Sequence, residues 1–382
     1  MNIQIDGTNS LNKGAELMFF AVLHQIKKFD PQASVFFNSN QLNDSGIKLD
    51  SELDVRSNWF NRFNRVPVGL LKRLGLPYAF LTSKNARRNI DLVLDAAGFQ
   101  FSDQWNYSKK SLDILENYYC GLKDNGTRIV FLPQAFGPFA TTNGIRSVSI
   151  VNKYVDLIYA REKISYDFLI GAGCDPKKVR VRSDFTLLLD GVFPNRFEHL
   201  KGKVCLIPNR KMITHVSNGQ NVYLRFMQTL AYELQKRNLE FYILNHEGEG
   251  DYEICKALSN SLPGNIEVVN KLGALEVKGL IGSSNMVISS RYHGVASALN
   301  QGVPALATSW NHKYEMIFDD FGMKDCVLNI EERSCLGQVI DDFLSRRNLI
   351  NSILTVKKAE LASQTERMWQ EIWKFSSDKN SN

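Results

Sequence analysis

The sequence predicts an α/β protein of two doubly wound domains facing each other across a cleft. Three observations predict it. At 382 residues the chain exceeds what a single core usually organises. In each half, short apolar runs alternate with stretches of helical length, the pattern of a mostly parallel sheet. The third is the run Ser289-Ser-Arg-Tyr-His-Gly-Val-Ala-Ser-Ala-Leu-Asn-Gln-Gly-Val-Pro-Ala-Leu-Ala-Thr-Ser-Trp310, which reads as a strand end, a polar turn, a small-residue helix and a second strand. Its turn carries Arg291 and His293, a fixed cation and a proton donor or acceptor, where an open α/β sheet keeps its ligands.

Taken in order, the first strand is 2–6, and Asn12-Lys-Gly-Ala-Glu16 opens a helix running to about residue 29. Strands follow at 34–37 and, beyond a basic excursion at 55–90, at 91–95. A helix at about 108–123 leads to a strand at 128–132. A helix around 144–153 and a strand at 157–161 come next, then a helix at 163–171 and a short strand near 179–181. Pro194 and flanking glycines mark 191–202 as a linker, so the first domain is 1–190. The second domain, 203–345, repeats the plan with strands at 204–207, 240–244, 267–269, 286–288, 305–307 and 326–328. Its clearest helix is 222–236. The last segment, 346–382, contains a long amphipathic helix at about 351–373, expected to pack back on the first domain.

Composition narrows the function classes. The opening residues lack the basic region and apolar stretch of a signal peptide, and no run of 18 apolar residues exists. Six scattered cysteines without a CxxC pair suit a reduced, cytoplasmic protein. The net charge of +6 does not by itself argue for nucleic acid, and no nucleic-acid reader motif accompanies it. Its distribution is uneven: residues 55–90 hold eight Arg or Lys, no acid, and interleaved Trp59, Phe60, Phe63, Leu70, Leu71 and Phe80. Such a segment fits either a helical excursion packed on its own domain or a surface lying on anionic lipid at the inner face of the membrane.

Candidate site residues fall at predicted strand ends. In the first domain, the turn 6–16 offers backbone amides at a helix start, with Asn12 and Glu16 as candidate contacts. It is neither GxGxxG nor a P-loop, so dinucleotide and nucleoside triphosphate binding are not indicated. In Asp95-Ala-Ala-Gly-Phe-Gln-Phe-Ser-Asp103, Asp95 caps the turn or lines the site, and Asp103 accepts a proton from a hydroxyl or caps a helix. Gln134 stands on a strand-to-turn segment between two prolines and suits a sugar hydroxyl. Arg161 and Glu162 read best as a structural ion pair. In the second domain, Asn209 and Arg210 follow its first strand, and Arg210 suits a carboxylate or phosphate. His246 and Glu247 end the next strand on the same rim. No HExxH or clustered His/Cys spacing supports a metal. Gly294, after His293, permits a close approach of helix to ligand. Lys313 adds a second cation or a plain surface charge.

Together these segments resemble the polysaccharide pyruvyl transferase family. The resemblance is strongest at Ser290-Arg-Tyr-His-Gly294, Ala298, Gly302-Val-Pro304 and Lys313. Supporting pieces are Asn12 to Glu16, Gly98 to Asp103, Gln134 to Phe139, Ala160-Arg-Glu162 and Arg182-Ser-Asp184, in order over about residues 1–345. The chain departs from the family pattern with Lys-Gly-Ala-Glu in the first loop and Ala-Ala-Gly in place of a glycine triplet. The resemblance implies two Rossmann-like domains in a GT-B-like arrangement. It implies phosphoenolpyruvate as co-substrate, no cofactor, and a ketal formed on a sugar of a surface polysaccharide or its lipid-linked precursor. His293 then becomes the general acid, and Arg291, Arg210, Lys313 and Asn209 bind the donor. Asp103 activates a hydroxyl, and Asn12, Glu16, Asp95 and Gln134 face the acceptor. A glycosyltransferase using a nucleotide-sugar, with Glu276 or Glu315 gripping the ribose, and a non-catalytic sugar- or anion-binding protein share the same plan.

Overall fold

The computed structural model describes residues 1–8, 12–37, 54–57, 90–215, 220–308, 313–330 and 335–378. Most of the basic excursion at 55–90 lies outside the described residues. The chain divides into two compact units. One comprises Met1–Leu11, Ala15–Phe185 and Gln364–Asn382; the other comprises Asn12–Gly14 and Thr186–Ser363.

In the first unit the strands are β1 (Asn2–Asp6), β2 (Ser34–Phe37), β3 (Asp54–Ser57), β4 (Leu92–Asp95), β5 (Phe99–Phe101), β6 (Arg128–Phe136), β7 (Leu157–Ala160) and β8 (Val179–Val181). Their order is β3-β2-β1-β4-β6-β7-β8, with β5 beside β6, and every pairing is parallel. Strands of a parallel sheet are covered on both faces, which is why β4 and β7 are buried at every position. The covering helices are α1 (Lys13–Phe29), α2 (Lys109–Asp124), α3 (Thr142–Tyr154) and α4 (Lys163–Gly171). Ser108 caps α2 and Thr141 caps α3 through their hydroxyls, the local reason these helices begin where they do.

Two departures from the sequence expectation matter. Strand β6 does not stop at Leu132. It continues through Pro133 and Gln134 to Phe136, because β5 pairs along its far end and the pairing to β7 shifts register there. Gln134 therefore stands inside a strand rather than on a turn. The polar β3 and the three-residue β5 were not anticipated.

In the second unit, β9 (Val204–Ile207), β10 (Phe241–Leu244), β11 (Val268–Val269), β12 (Met286–Ser289), β13 (Ala305–Thr308) and β14 (Val327–Leu328) form a parallel sheet ordered β11-β10-β9-β12-β13-β14. Its helices are α5 (Lys211–His215), α6 (Gln220–Lys236), α7 (Gly248–Ser261), α8 (Ala274–Gly282), α9 (Tyr292–Asn300), α10 (Lys313–Asp320) and α11 (Leu336–Ser345). One buried apolar cluster runs from Leu200 and Met212 through the strands to Phe343 and Leu361. Residues 191–202 pack into this unit: Leu200 joins the cluster, and Gly191 lies against the backbone of Gly279. The final helix α12 (Arg347–Ser377) changes unit at Ser363. Within the first unit its Trp369 is fully buried beside Phe185, and its Glu371 accepts a hydrogen bond from Tyr159. No helix among the described residues is long and apolar enough to cross a membrane.

Both sheets reverse their strand order at one point, between β1 and β4 in the first and between β9 and β12 in the second. Open α/β sheets receive ligands beyond the strand ends at such a reversal.

Candidate functional site

At the reversal of the second sheet, chain leaves β9 as Pro208-Asn209-Arg210 and leaves β12 as Ser290-Arg291. Hydrogen bonds lock the two exits together. Asn209, 1% exposed, donates through Nδ2 to the Ser290 carbonyl (2.8 Å) and accepts at Oδ1 from the Lys211 amide (2.9 Å). The Ser290 carbonyl also accepts from the Tyr314 hydroxyl, and the Ser290 hydroxyl meets those of Tyr223 and Thr308 at 2.6 Å. Asn209 is thus a positioning residue of the turn, with its amide committed to protein groups.

Arg291 is held rather than open. Its Nε donates to Asp251 Oδ2 at 2.7 Å, Nη2 lies 2.6 Å from the same oxygen, and Nη1 donates to Glu247 Oε2 at 2.5 Å. Asp251 is 2% exposed and also accepts the Arg210 amide at Oδ1 (2.9 Å). Burial raises the Asp251 pKa, and Arg291 opposes that rise as the leading counter-charge. A cation embraced by two carboxylates is a weak anion trap and a strong anchor for its turn.

Helix α9 starts directly after Arg291 and has no side-chain cap. His293 lies on its first turn, edge-on to Tyr292 with ring centroids 5.3 Å apart. Gly294 does serve a close approach, but between helix and sheet: a Cβ there would overlap the Ser289 hydroxyl and press on Ile207. Gly14, one of the three residues from the first loop that belong to this unit, packs so tightly on the His293 imidazole that any Cβ would overlap the ring. Asn12 accepts the Gly14 amide at 2.8 Å and so fixes that loop. Both Asn12 and Gly14 therefore associate with the His293 side of the chain.

Arg210 is exposed, and its side chain lies across Gly250. Lys313 opens α10, and its side chain lies outside the described part of the structure. His246, directly after β10, is 4% exposed, and its Nδ1 has no hydrogen-bond partner. Burial, then the charges of Arg291, His293 and Lys13, drive its pKa well below the ordinary value, so its ring is neutral at pH 7. The neighbouring Asn245 donates to Gly248 and Asn270 while its Oδ1 stays unsatisfied. An unmet buried polar atom costs about 1–3 kcal/mol, and such costs concentrate at sites that bind something.

In the first sheet, Asp6 and Asp95 are register partners on β1 and β4. Asp6 accepts from Gln4 Nε2 (2.9 Å) and the Tyr118 hydroxyl (2.5 Å), and Asp95 accepts the Ala97 amide (2.9 Å). Burial raises both pKa values; for Asp95 burial and the Asp6 charge push it up to about 7. Gln134 is fully buried close to Asp95, and its side-chain amide opposes the rise of the Asp95 pKa. Glu16 is buried in the first turn of α1.

Asp103 has a structural task. Its carboxylate accepts from the amides of Ala140 (2.5 Å) and Thr141 (3.1 Å) and from the Thr141 hydroxyl (2.5 Å), tying down the start of α3. Slight burial raises its pKa, but these bonds outweigh it and the net shift is downward, which weakens it as a base. Arg161 and Glu162 form a buried pair, and Glu162 also bonds Ser165. Glu276 is engaged at the start of α8, bonded to the Gly273 amide and paired with Arg196. Among the described residues no group of three or more His, Cys, Asp or Glu is placed to hold a metal ion.

Sequence reasoning named Arg291 without its partners. Asp251 carried no signal beyond the acidic run Glu247-Gly-Glu-Gly-Asp251, and the Asp6–Asp95 adjacency appears only once strand order is known.

The comparisons with known proteins agree with this architecture. Solved structures of similar fold include Anabaena Alr3699/HepE in complex with UDP and glucose, 14% identical over 99% of both chains with a TM-score of 0.61. Another is a UDP-N-acetylglucosamine 2-epimerase from Listeria monocytogenes, described as putative, 13% identical over 99% of this chain and 97% of that one, with a TM-score of 0.63. A third is the Neisseria meningitidis UDP-GlcNAc 2-epimerase bound to UDP-GlcNAc, 10% identical over 98% and 100%, with a TM-score of 0.59. At these identities they establish the GT-B-like pair of Rossmann-like domains and nothing finer. No curated protein matches the chain. The family model for polysaccharide pyruvyl transferases matches residues 12–312, a span holding every element of both strand reversals except β1. The chain belongs to the polysaccharide pyruvyl transferase family.

Proposed function

We propose that this enzyme transfers the pyruvyl group of phosphoenolpyruvate to two hydroxyls of one sugar, leaving a ketal on a surface polysaccharide or its lipid-linked precursor. One observation carries the reading. Inside the family-matched span, an imidazole and an uncapped helix start share one turn at the strand reversal of the second sheet.

His293 protonates the methylene carbon of the donor, making C2 electrophilic toward the first hydroxyl. Arg210 and Lys313 receive the phosphate and carboxylate and offset charge as phosphate leaves. Arg291 and Asn209 serve the donor by holding the turn rigid. On the acceptor side, Asp103 orients a hydroxyl from its capped position, and Asp95 and Gln134 supply buried polar contacts to the sugar. Asn12 and Glu16 contribute to the same selection through the loop that opens α1. The basic segment 55–90 is assigned to an anionic membrane surface at the cytoplasmic face, where a lipid-linked acceptor would be met.

A nucleotide-sugar donor is the second reading, because solved neighbours were determined with UDP, UDP-glucose or UDP-GlcNAc. Calorimetry separates the two. Phosphoenolpyruvate should bind and UDP-glucose should not, with His293→Ala retaining donor binding. The reverse preference would replace the first reading by the second.

A further inference from the structure

Pyruvyl transfer to a diol moves two protons, and the role given to His293 accounts for the one delivered to the methylene carbon. Each ketal needs a proton delivered to the methylene carbon and another to the leaving phosphate, while two hydroxyls each give one up. We propose that His246 is the second imidazole of the donor site, taking the proton of the first attacking hydroxyl and passing it to the departing phosphate. This rests on the pyruvyl-transfer reading of the same site.

Placement comes first. His246 follows β10, the strand beside β9, whose own end carries Asn209 and Arg210. It is almost fully buried, yet Nδ1 has no partner, and the preceding Asn245 leaves Oδ1 unsatisfied although its Nδ2 is doubly engaged. Two consecutive unmet polar atoms at the carboxyl edge of a sheet mark a place completed by a ligand. The charges acting on the ring are those of Arg291, His293 and Lys13. Close by are Glu247 and Asp251, both spent on Arg291, and Lys211, which acts on Asp251. The ring thus rests neutral beside His293, and the negative charge of a bound donor would offset the surrounding cations and strengthen it as a base.

The cycle balances. Protonated His293 gives its proton to C3 as the first sugar oxygen bonds to C2, and neutral His246 takes that hydroxyl's proton. Protonated His246 then donates to the bridging oxygen as the C2–O bond to phosphate breaks. The second hydroxyl bonds to C2 and its proton restores His293. Phosphoenolpyruvate and a diol become a ketal and phosphate, with both imidazoles returned to their starting states.

The test uses the full chain, phosphoenolpyruvate and p-nitrophenyl hexosides carrying free 4- and 6-hydroxyls, with phosphate release as readout. His246→Asn should lower kcat about 10²- to 10⁴-fold with KM for phosphoenolpyruvate within about threefold. His246→Gln replaces it if the Asn variant does not fold. A kcat within about threefold of wild type, or a loss confined to KM, overturns the inference. Independently of any acceptor, ¹⁵N-histidine spectra should show His246 neutral at pH 6.5 and shifted by phosphoenolpyruvate together with His293; an unmoved His246 overturns it. Wild-type protein that neither binds nor consumes phosphoenolpyruvate would instead remove the underlying reading.

Discussion

Replacing Asp95 by Asn should make the protein more stable, and more so as pH rises. The carboxyl is 3% exposed and sits in register with Asp6. Its pKa rises from 3.8 to about 7, first through burial and then through the Asp6 charge. About three units at about 1.4 kcal/mol each is about 4 kcal/mol. Because Asp6 is raised too, the two acids titrate as a pair, and about 2–4 kcal/mol is the share expected for Asp95. The folded pKa lies above the unfolded one. Stability is therefore full below 3.8, declines as pH climbs toward 7, and stays lost above it. Asparagine keeps an oxygen for the Ala97 amide and removes the charge. Urea unfolding should show Asp95→Asn about 2–4 kcal/mol more stable at pH 8 and nearly equal to wild type at pH 4. The described tryptophans, Trp105, Trp369 and Trp373, all lie in the first unit and report on it. An unchanged stability difference across that range, or a loss at pH 8, would refute the reasoning.

Arg291→Ala leaves Asp251 buried and uncompensated, so a stability loss of about 3–5 kcal/mol is expected in denaturant unfolding. Adding Asp251→Asn should recover part of it, and strictly additive losses would show that the pair is not coupled. Asp103→Ala removes the ties at the start of α3 and should cost about 1 kcal/mol in thermal unfolding, with kcat falling less than about tenfold. A fall of about 10²-fold or more at unchanged stability would make Asp103 a base instead. Gly14→Ala should displace the His293 ring, lowering kcat for phosphate release by about tenfold or more while the fold survives; full activity would show that the ring has room to move.

Much of this was legible because parallel strands bury both faces and so appear as unbroken apolar runs. Phe241 to Leu244 and Met286 to Ile288 declare themselves that way, and the polar residues just after them define the rim. Elements without that signature stayed hidden. The polar β3 carries Asp54, Arg56 and Ser57, and β5 is three residues long. Pro133 suggested a turn, yet β6 runs through it. Residue types at the site were readable, but their pairings were not. Arg291 announces a cation, and only the fold brings Glu247 and Asp251 to it from about forty residues away in the chain. The same holds for Asp103, whose cap on α3 depends on Ala140 and Thr141. His246 stood out as a histidine at a strand end, but its unmet Nδ1 and the positive charges around it are tertiary facts.

The most direct test of the central claim is to incubate the protein with phosphoenolpyruvate and hexosides bearing free 4- and 6-hydroxyls, following phosphate release and product mass together. The account predicts one phosphate released per pyruvyl group gained by the sugar, abolished by His293→Ala in a protein that still unfolds cooperatively. Transfer from a UDP-sugar with no consumption of phosphoenolpyruvate, or undiminished turnover by His293→Ala, would contradict it.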